Sequence, residues 1–117
     1  MTDSELEVML REHGYPDHVS RAGKAGIIAR WKRFVEEVER GYELGLEDYR
    51  NDLDVRGIIA LAGLSSEVAD LDARFLAQLT ARDRRVWDNA ADPFWNFGYP
   101  KNASGELLED LKAEGLA

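Results

Sequence analysis

Five large apolar residues between positions 27 and 38 constrain the fold more than any other feature of this chain. Ile27, Trp31, Phe34, Val35 and Val38 fall at i, i+4, i+7, i+8 and i+11. That is the stripe of an amphipathic helix and is incompatible with the alternation of a strand. Such a helix must bury its stripe against other elements, so the rest of the chain is read for what can cover it.

Residues 4–13 carry Leu6, Met9 and Leu10 at helical spacing, with Asp3 or Ser4 as N-cap and Gly14 as stop. Tyr15-Pro16-Asp17 reads as a turn. The central helix starts between Ser20 and Gly26, where Gly23 and Gly26 each cost about 1 kcal/mol relative to alanine and mark a frayed start or a close backbone approach. Gly41 is placed to end it. After the connection Tyr42-Glu43-Leu44-Gly45, the intervals of Leu46, Tyr49, Leu53, Gly57 and Ala60 predict a third helix over 46–62. Asn51-Asp52 is where it could break, and Gly63 is its stop. Ser65 or Ser66 can cap a fourth helix carrying Val68, Leu71, Phe75, Leu76 and Leu79 and running to about Arg85. Ser104 caps a fifth, with Leu107, Leu108 and Leu111. Residues 87–102 break the pattern with two prolines and five aromatics, Trp87, Phe94, Trp95, Phe97 and Tyr99.

The expectation is therefore a single all-α domain over 1–117, a compact bundle of about five helices with one irregular aromatic-rich segment at 87–102. At 117 residues and 44% hydrophobic content the chain can bury a core. It has no cysteine, which removes disulfides, thiolate nucleophiles and cysteine-ligated zinc. The longest apolar run, Ile58 to Ala62, is too short for a membrane span, and the acidic start lacks a cationic leader. A cytoplasmic protein with no membrane partner is expected.

The net charge of −8 argues against direct nucleic-acid binding, which needs a basic face for phosphates. The charge is also segregated. Val19–Val35 holds Arg21, Lys24, Arg30, Lys32 and Arg33 and no acid, a net +5; Glu36–Asp54 carries a net −6. The central helix thus puts its basic half at its N-terminus and its acidic half at its C-terminus, opposite to what its dipole favours. Neighbouring helices, an antiparallel homodimer or a basic partner would each account for that.

Chemistry is sparse. A serine nucleophile needs a histidine base, but only His13 and His18 exist, both beside the N-terminal turn. His13, Asp17 and His18 could in principle ligate a divalent ion, but H-G-Y-P-D-H follows no metal spacing, and no metal or other cofactor is expected. The cluster Asp48, Asp52 and Asp54, with Glu47, has three readings. Paired carboxylates can do acid–base work, or bind magnesium together with a phosphate. The third reading, placed first, is a structural clamp in which Asn51, Asp52 or Asp54 caps a helix and Arg56 holds it, Asp52 and Arg56 being an i, i+4 pair. Trp95, Phe97 and Tyr99 alternate, either as a lid on the bundle or as an exposed anchor patch.

The pattern W-x2-F-V-x2-V-x2-G-Y-x-L-G-L-x-D-Y-x-N-D-L-D-x-R, spanning Trp31 to Arg56, resembles a group of small uncharacterised bacterial helical proteins. These also carry a leucine–aspartate–phenylalanine helix, here Leu71-Asp72-Ala73-Arg74-Phe75, and a Trp/Tyr-rich stretch ending in proline, here Phe94 to Pro100. The resemblance implies a bacterial cytoplasmic protein and transfers no activity.

The expected function is a non-enzymatic, acidic protein-binding domain of the antitoxin, immunity or inhibitor kind, masking a basic partner protein. Its contacts would be Glu36, Glu39, Glu43, Asp48, Tyr49, Asp52 and Asp54, with Trp95 and Tyr99 as anchors. The alternatives are a small metal-dependent enzyme or metal binder using Asp48, Asp52 and Asp54, and a structural homodimer without ligand.

Overall fold

The helical periodicities resolve, in a computed structural model that describes residues 1–79 and 99–115, into six α-helices and one 3₁₀ turn. Helix α1 (Asp3–Glu12) is capped by Thr2 rather than by Asp3 or Ser4. The Glu5 amide donates to Thr2 Oγ1 at 3.1 Å while the Thr2 amide donates to Glu5 Oε1 at 3.3 Å, a reciprocal capping box. That leaves the Asp3 carboxylate available to another helix. After the turn at Pro16 comes a single short helix, α2 (Asp17–Ser20), beyond what the sequence suggested.

Helix α3 (Gly23–Arg40) is the central element, and it buries Ile27, Trp31, Phe34, Val35 and Val38, the stripe seen in the sequence. Its first residues meet α1: the Lys24 amide donates to Asp3 Oδ1 at 3.0 Å. Gly23 has φ +72°, and a Cβ there would lie 3.3 Å from the Asp3 carboxylate, so the glycine marks a close approach. Helix α4 (Leu46–Leu61) is unbroken through Asn51-Asp52. Its N-terminus is satisfied from a distance, the Leu46 amide donating to Asp110 Oδ2 of α6 at 2.9 Å.

A 3₁₀ turn (Ser65–Val68) leads into α5 (Ala69–Ala77). The helix ends at Ala77, and the part of the expected run from residue 80 to Arg85 lies outside the described residues. The Gln78 carbonyl, which would have to accept from residue 82 in a continuing helix, accepts from the Lys101 amide at 2.8 Å, and Leu79 bridges to Pro100. Helix α6 (Gly105–Ala113) then returns to the α3–α4 connection, with the Ser104 and Glu106 amides donating to the carbonyls of Tyr42 and Glu43, both at 3.1 Å. Ser104 holds the N-cap position, but its hydroxyl donates to the Gly41 carbonyl at 3.5 Å instead of capping α6. Among the described residues there is no strand, and the architecture is the all-α bundle expected.

Helices α1, α4 and α5 all pack on α3, and α6 packs on α4. The centre is aromatic. Phe34 lies within 5.4–5.7 Å, centroid to centroid, of Trp31, Tyr42, Tyr49 and Phe75, mostly in the tilted or edge-on geometries that ring quadrupoles favour. Of the aromatic segment at 87–102, Trp87, Phe94, Trp95 and Phe97 lie outside the described residues. Tyr99 is half-buried against Tyr49, 5.8 Å away.

One polar network sits inside this core. Arg56 of α4 grips Asp72 of α5 through Nε (2.9 and 3.1 Å) and Nη2 (2.9 Å), and its Nη1 donates to Ser65 Oγ at 3.2 Å. The Trp31 indole of α3 donates to the same Asp72 carboxylate at 3.0 Å. Arg56 therefore does clamp helices, but with Asp72 and not with the i−4 neighbour Asp52. Ser65, expected as a cap, is part of this network instead.

The side chains of Arg56 and Asp72 are only 6% and 13% exposed. Losing one partner strands the other charge in the core, so Arg56→Ala should cost about 3–5 kcal/mol, while the double change to Leu at both positions should recover most of it. Urea denaturation of the two variants checks this. Asp110→Ala should cost about 1 kcal/mol through the uncapped start of α4, read in the same titration.

Candidate functional site

The acidic residues that the sequence groups together do not share one face. Glu39 leaves α3 toward α5, where Arg74 binds it through Nε (3.1 Å) and Nη2 (2.5 Å) and holds its carboxyl below the usual range. Glu36 lies near enough to the same guanidinium to help raise its pKa. These two therefore answer Arg74 on the α3–α5 side. Tyr49, expected among the contacts, has no exposed surface and belongs to the core.

Glu43 and Asp48 stand elsewhere, at the entry to α4, and two residues that the sequence reading left out join them. Helix α6 carries Glu106 and Asp110 to this point, and a Cβ on Gly45 would lie 3.0 Å from Glu106 Oε1 and 3.2 Å from Asp110 Oδ2. Glu47 and Asp48 occupy the first turn of α4. The positive end of a helix dipole favours carboxylates there, which is why so many are tolerated together. Leu44 sits in the same connection, 49% exposed. On the α3 side of Leu44 the lining changes to Arg33, Glu37 and Arg40.

The remaining members of the cluster line a separate cleft of about 450 Å³ between the Tyr15–Val19 turn, α3 and α4. Asn51, Asp54, Val55 and Ile58 are one stripe of α4 at spacings of three and four, with Asp52 on its flank. Ile27 and Arg30 come from α3, and Tyr15, Pro16, His18 and Val19 form the opposite wall. The floor is apolar, since Ile27 and Ile58 are buried. Because α4 begins at Leu46, neither Asn51, Asp52 nor Asp54 is at a helix end, and none can be the cap that the sequence suggested.

Asp52 is half-buried and accepts the Tyr42 hydroxyl at 2.7 Å. Burial pushes the Asp52 carboxyl up, the Tyr42 bond offsets part of that, and the charge of Asp48 adds to the rise while Arg30 opposes it. The same Tyr42 phenol is driven well above its ordinary range, by burial first and then by its bond to Asp52. Asp54 is also pushed up by burial, and its charge, after burial, helps raise the Tyr15 hydroxyl. Arg30 donates only to the His18 carbonyl, at 3.4 Å, and forms no ion pair with a described residue.

The two histidines do not converge. His13 Nδ1 donates to the Met9 carbonyl at 2.8 Å, Asp17 lies 3.9 Å from both Arg11 and Arg21, and His18 lines the cleft. Among the described residues no three His, Asp or Glu side chains form a group that could hold a metal ion. No helix among them is long and apolar enough to cross a membrane.

A carboxyl whose folded pKa lies above its unfolded value stabilises the fold fully below the unfolded pKa and loses that contribution as the pH rises through the folded one. For Asp52 the ionised form at neutral pH is thus the costly one. Asp52→Asn keeps an acceptor for Tyr42, so it should be at least as stable as the wild type at pH 7, by up to about 1 kcal/mol, and the difference should vanish as the pH falls toward 4. Thermal unfolding across that range measures it.

No family model, curated protein or solved structure matches this chain.

Proposed function

We propose that this chain is a non-enzymatic protein-binding domain that presents the entry of α4 to a basic partner protein, in the manner of an antitoxin, immunity protein or inhibitor. The observation that supports it best is the delivery of Glu106 and Asp110 by α6 to the point where Glu43, Glu47 and Asp48 already stand. Five carboxylates from three chain segments around one helix start attract a cationic surface at long range. Exposed Leu44 beside them supplies the apolar contact that a purely electrostatic encounter lacks. Compared with the sequence-level list, Glu36 and Glu39 leave the contact set for Arg74, Tyr49 for the core, and Asp52 and Asp54 for the cleft; Tyr99 is half-buried against Tyr49, and Trp95 lies outside the described residues. Glu47, Glu106, Asp110 and Leu44 enter the contact set. The likeness of the Trp31–Arg56 pattern to small bacterial helical proteins transfers no residue role.

Glu43, Glu47 and Asp48 are exposed, so Glu43→Lys/Asp48→Lys should leave the fold intact and weaken the partner complex by at least about tenfold, mainly through slower association. Raising the salt from about 0.1 to 1 M shrinks the screening length from roughly 10 to 3 Å and should do the same to the wild type. The assay is affinity capture from the native host followed by surface plasmon resonance on the captured protein. A captured partner that is itself acidic, or a complex indifferent to both charge reversal and salt, overturns this assignment.

A further inference from the structure

We infer that the cleft between the Tyr15–Val19 turn, α3 and α4 is a binding site for a small organic monocation with an apolar body, such as an arylalkylamine. This site is distinct from the α4 entry surface and does not depend on it.

The volume of about 450 Å³ lies within the range of small-ligand pockets, which are largely apolar with a few converging polar groups. Here the apolar part is built by Val19 and Val55 over the buried Ile27 and Ile58. Among the described residues of the lining, Asp52 and Asp54 outnumber the one guanidinium, Arg30, with His18 on the opposite wall and Arg50 outside the cleft beside Asp54. The two carboxylates are also not equivalent. Asp52 is already served by the Tyr42 hydroxyl at 2.7 Å and by the nearby charge of Arg30. Asp54 makes no hydrogen bond or ion pair with any described residue. It stands exposed at the rim of the cleft, where partial burial raises its carboxyl and a cationic ligand can reach it. Tyr15, whose hydroxyl feels the Asp54 charge, and Asn51 lie beside it in the lining, and both can accept from an ammonium. An anion would meet two carboxylates and a neutral ligand would leave Asp54 as it is. A cation resolves the imbalance, with its ammonium on Asp54 and its ring on the Val19–Val55–Ile58 wall.

Titration of the full chain with phenethylamine at pH 7, followed by amide chemical shifts, tests this. Saturable shifts are expected at Val19, Asn51 and Val55. Phenethyl alcohol, which keeps the ring and loses the charge, and 3-phenylpropionate, which reverses it, should bind at least about tenfold more weakly. Asp54 is exposed, so Asp54→Asn should fold normally and weaken phenethylamine by a similar factor. Glu43→Lys alone should leave amine binding unchanged, which separates this site from the partner surface. The inference is overturned by no saturable shift up to about 10 mM, by equal affinity for amine and alcohol, by an Asp54→Asn variant that binds as wild type, or by shifts confined to Glu43–Asp48.

Discussion

The carboxylate of Asp72 is the constraint on which the rest of the arrangement depends. It lies between three helices and receives a donor from two others, the Trp31 indole of α3 and the Arg56 guanidinium of α4. A bidentate guanidinium–carboxylate pair tolerates little change in angle or register. Once Asp72 on α5 is engaged this way, α4 and α5 are tied to each other as well as to α3. The apolar stripe of α3 could slide against neighbours of similar shape; the polar triad cannot. Packing supplies the greater part of the driving force, and the triad selects one packing from the several that such aromatic side chains would allow.

The same logic of distant partners resolves the inverted charge of α3. Its basic first half sits at the positive end of its own dipole. The structure meets that at both ends from other segments. Asp3 of α1 accepts from the Lys24 amide, the Lys24 ammonium donates to the Met1 carbonyl, and Arg21 lies 3.5 Å from Glu7. At the far end Arg74 of α5 takes Glu39. The arrangement is unfavourable within one helix and favourable across three. Part of the charge segregation therefore belongs to the fold, and only what remains exposed after these pairings can speak for a partner.

That distinction sets how much was legible in the sequence. Periodicity alone located α3, α4 and α6, because stripes such as Ile27–Val38 are a local property. The polar roles were not legible, because each depends on a residue far along the chain. Arg56 looks toward Asp52 at i−4 in sequence, yet it finds Asp72; Asp110 caps a helix that begins at Leu46. Asp72 had one available signal, the lone carboxylate in Leu71-Asp72-Ala73-Arg74-Phe75, flanked by apolar residues on a helix whose stripe is buried. The end of α5 was misplaced for a related reason. Leu79 continues the helical spacing, but its neighbour's carbonyl is taken by Lys101, a competitor that no local pattern contains.

The Asp48–Asp54 cluster separates by the same geometry. Positions 48 and 52 share one face of α4, whereas 54 is rotated away with 51, 55 and 58. Since α4 does not break, this rotation is preserved. Asp48 is left at the helix entry with Glu43 and the α6 carboxylates, and Asp54 is carried round to the cleft beside Tyr15. Asp52 stands between the two faces, tied down by Tyr42. An acidic run that reads as one feature in sequence is thus two surfaces with a buried hydrogen bond between them. A long-range electrostatic surface can spread its charges over several carboxylates, each largely hydrated. The cleft sets one carboxylate, Asp54, which pairs with no described residue, at the rim of an apolar floor, so that a single group would carry the recognition there. For two surfaces of such different construction we propose ligands of different size, a protein at the helix entry and a small cation in the cleft.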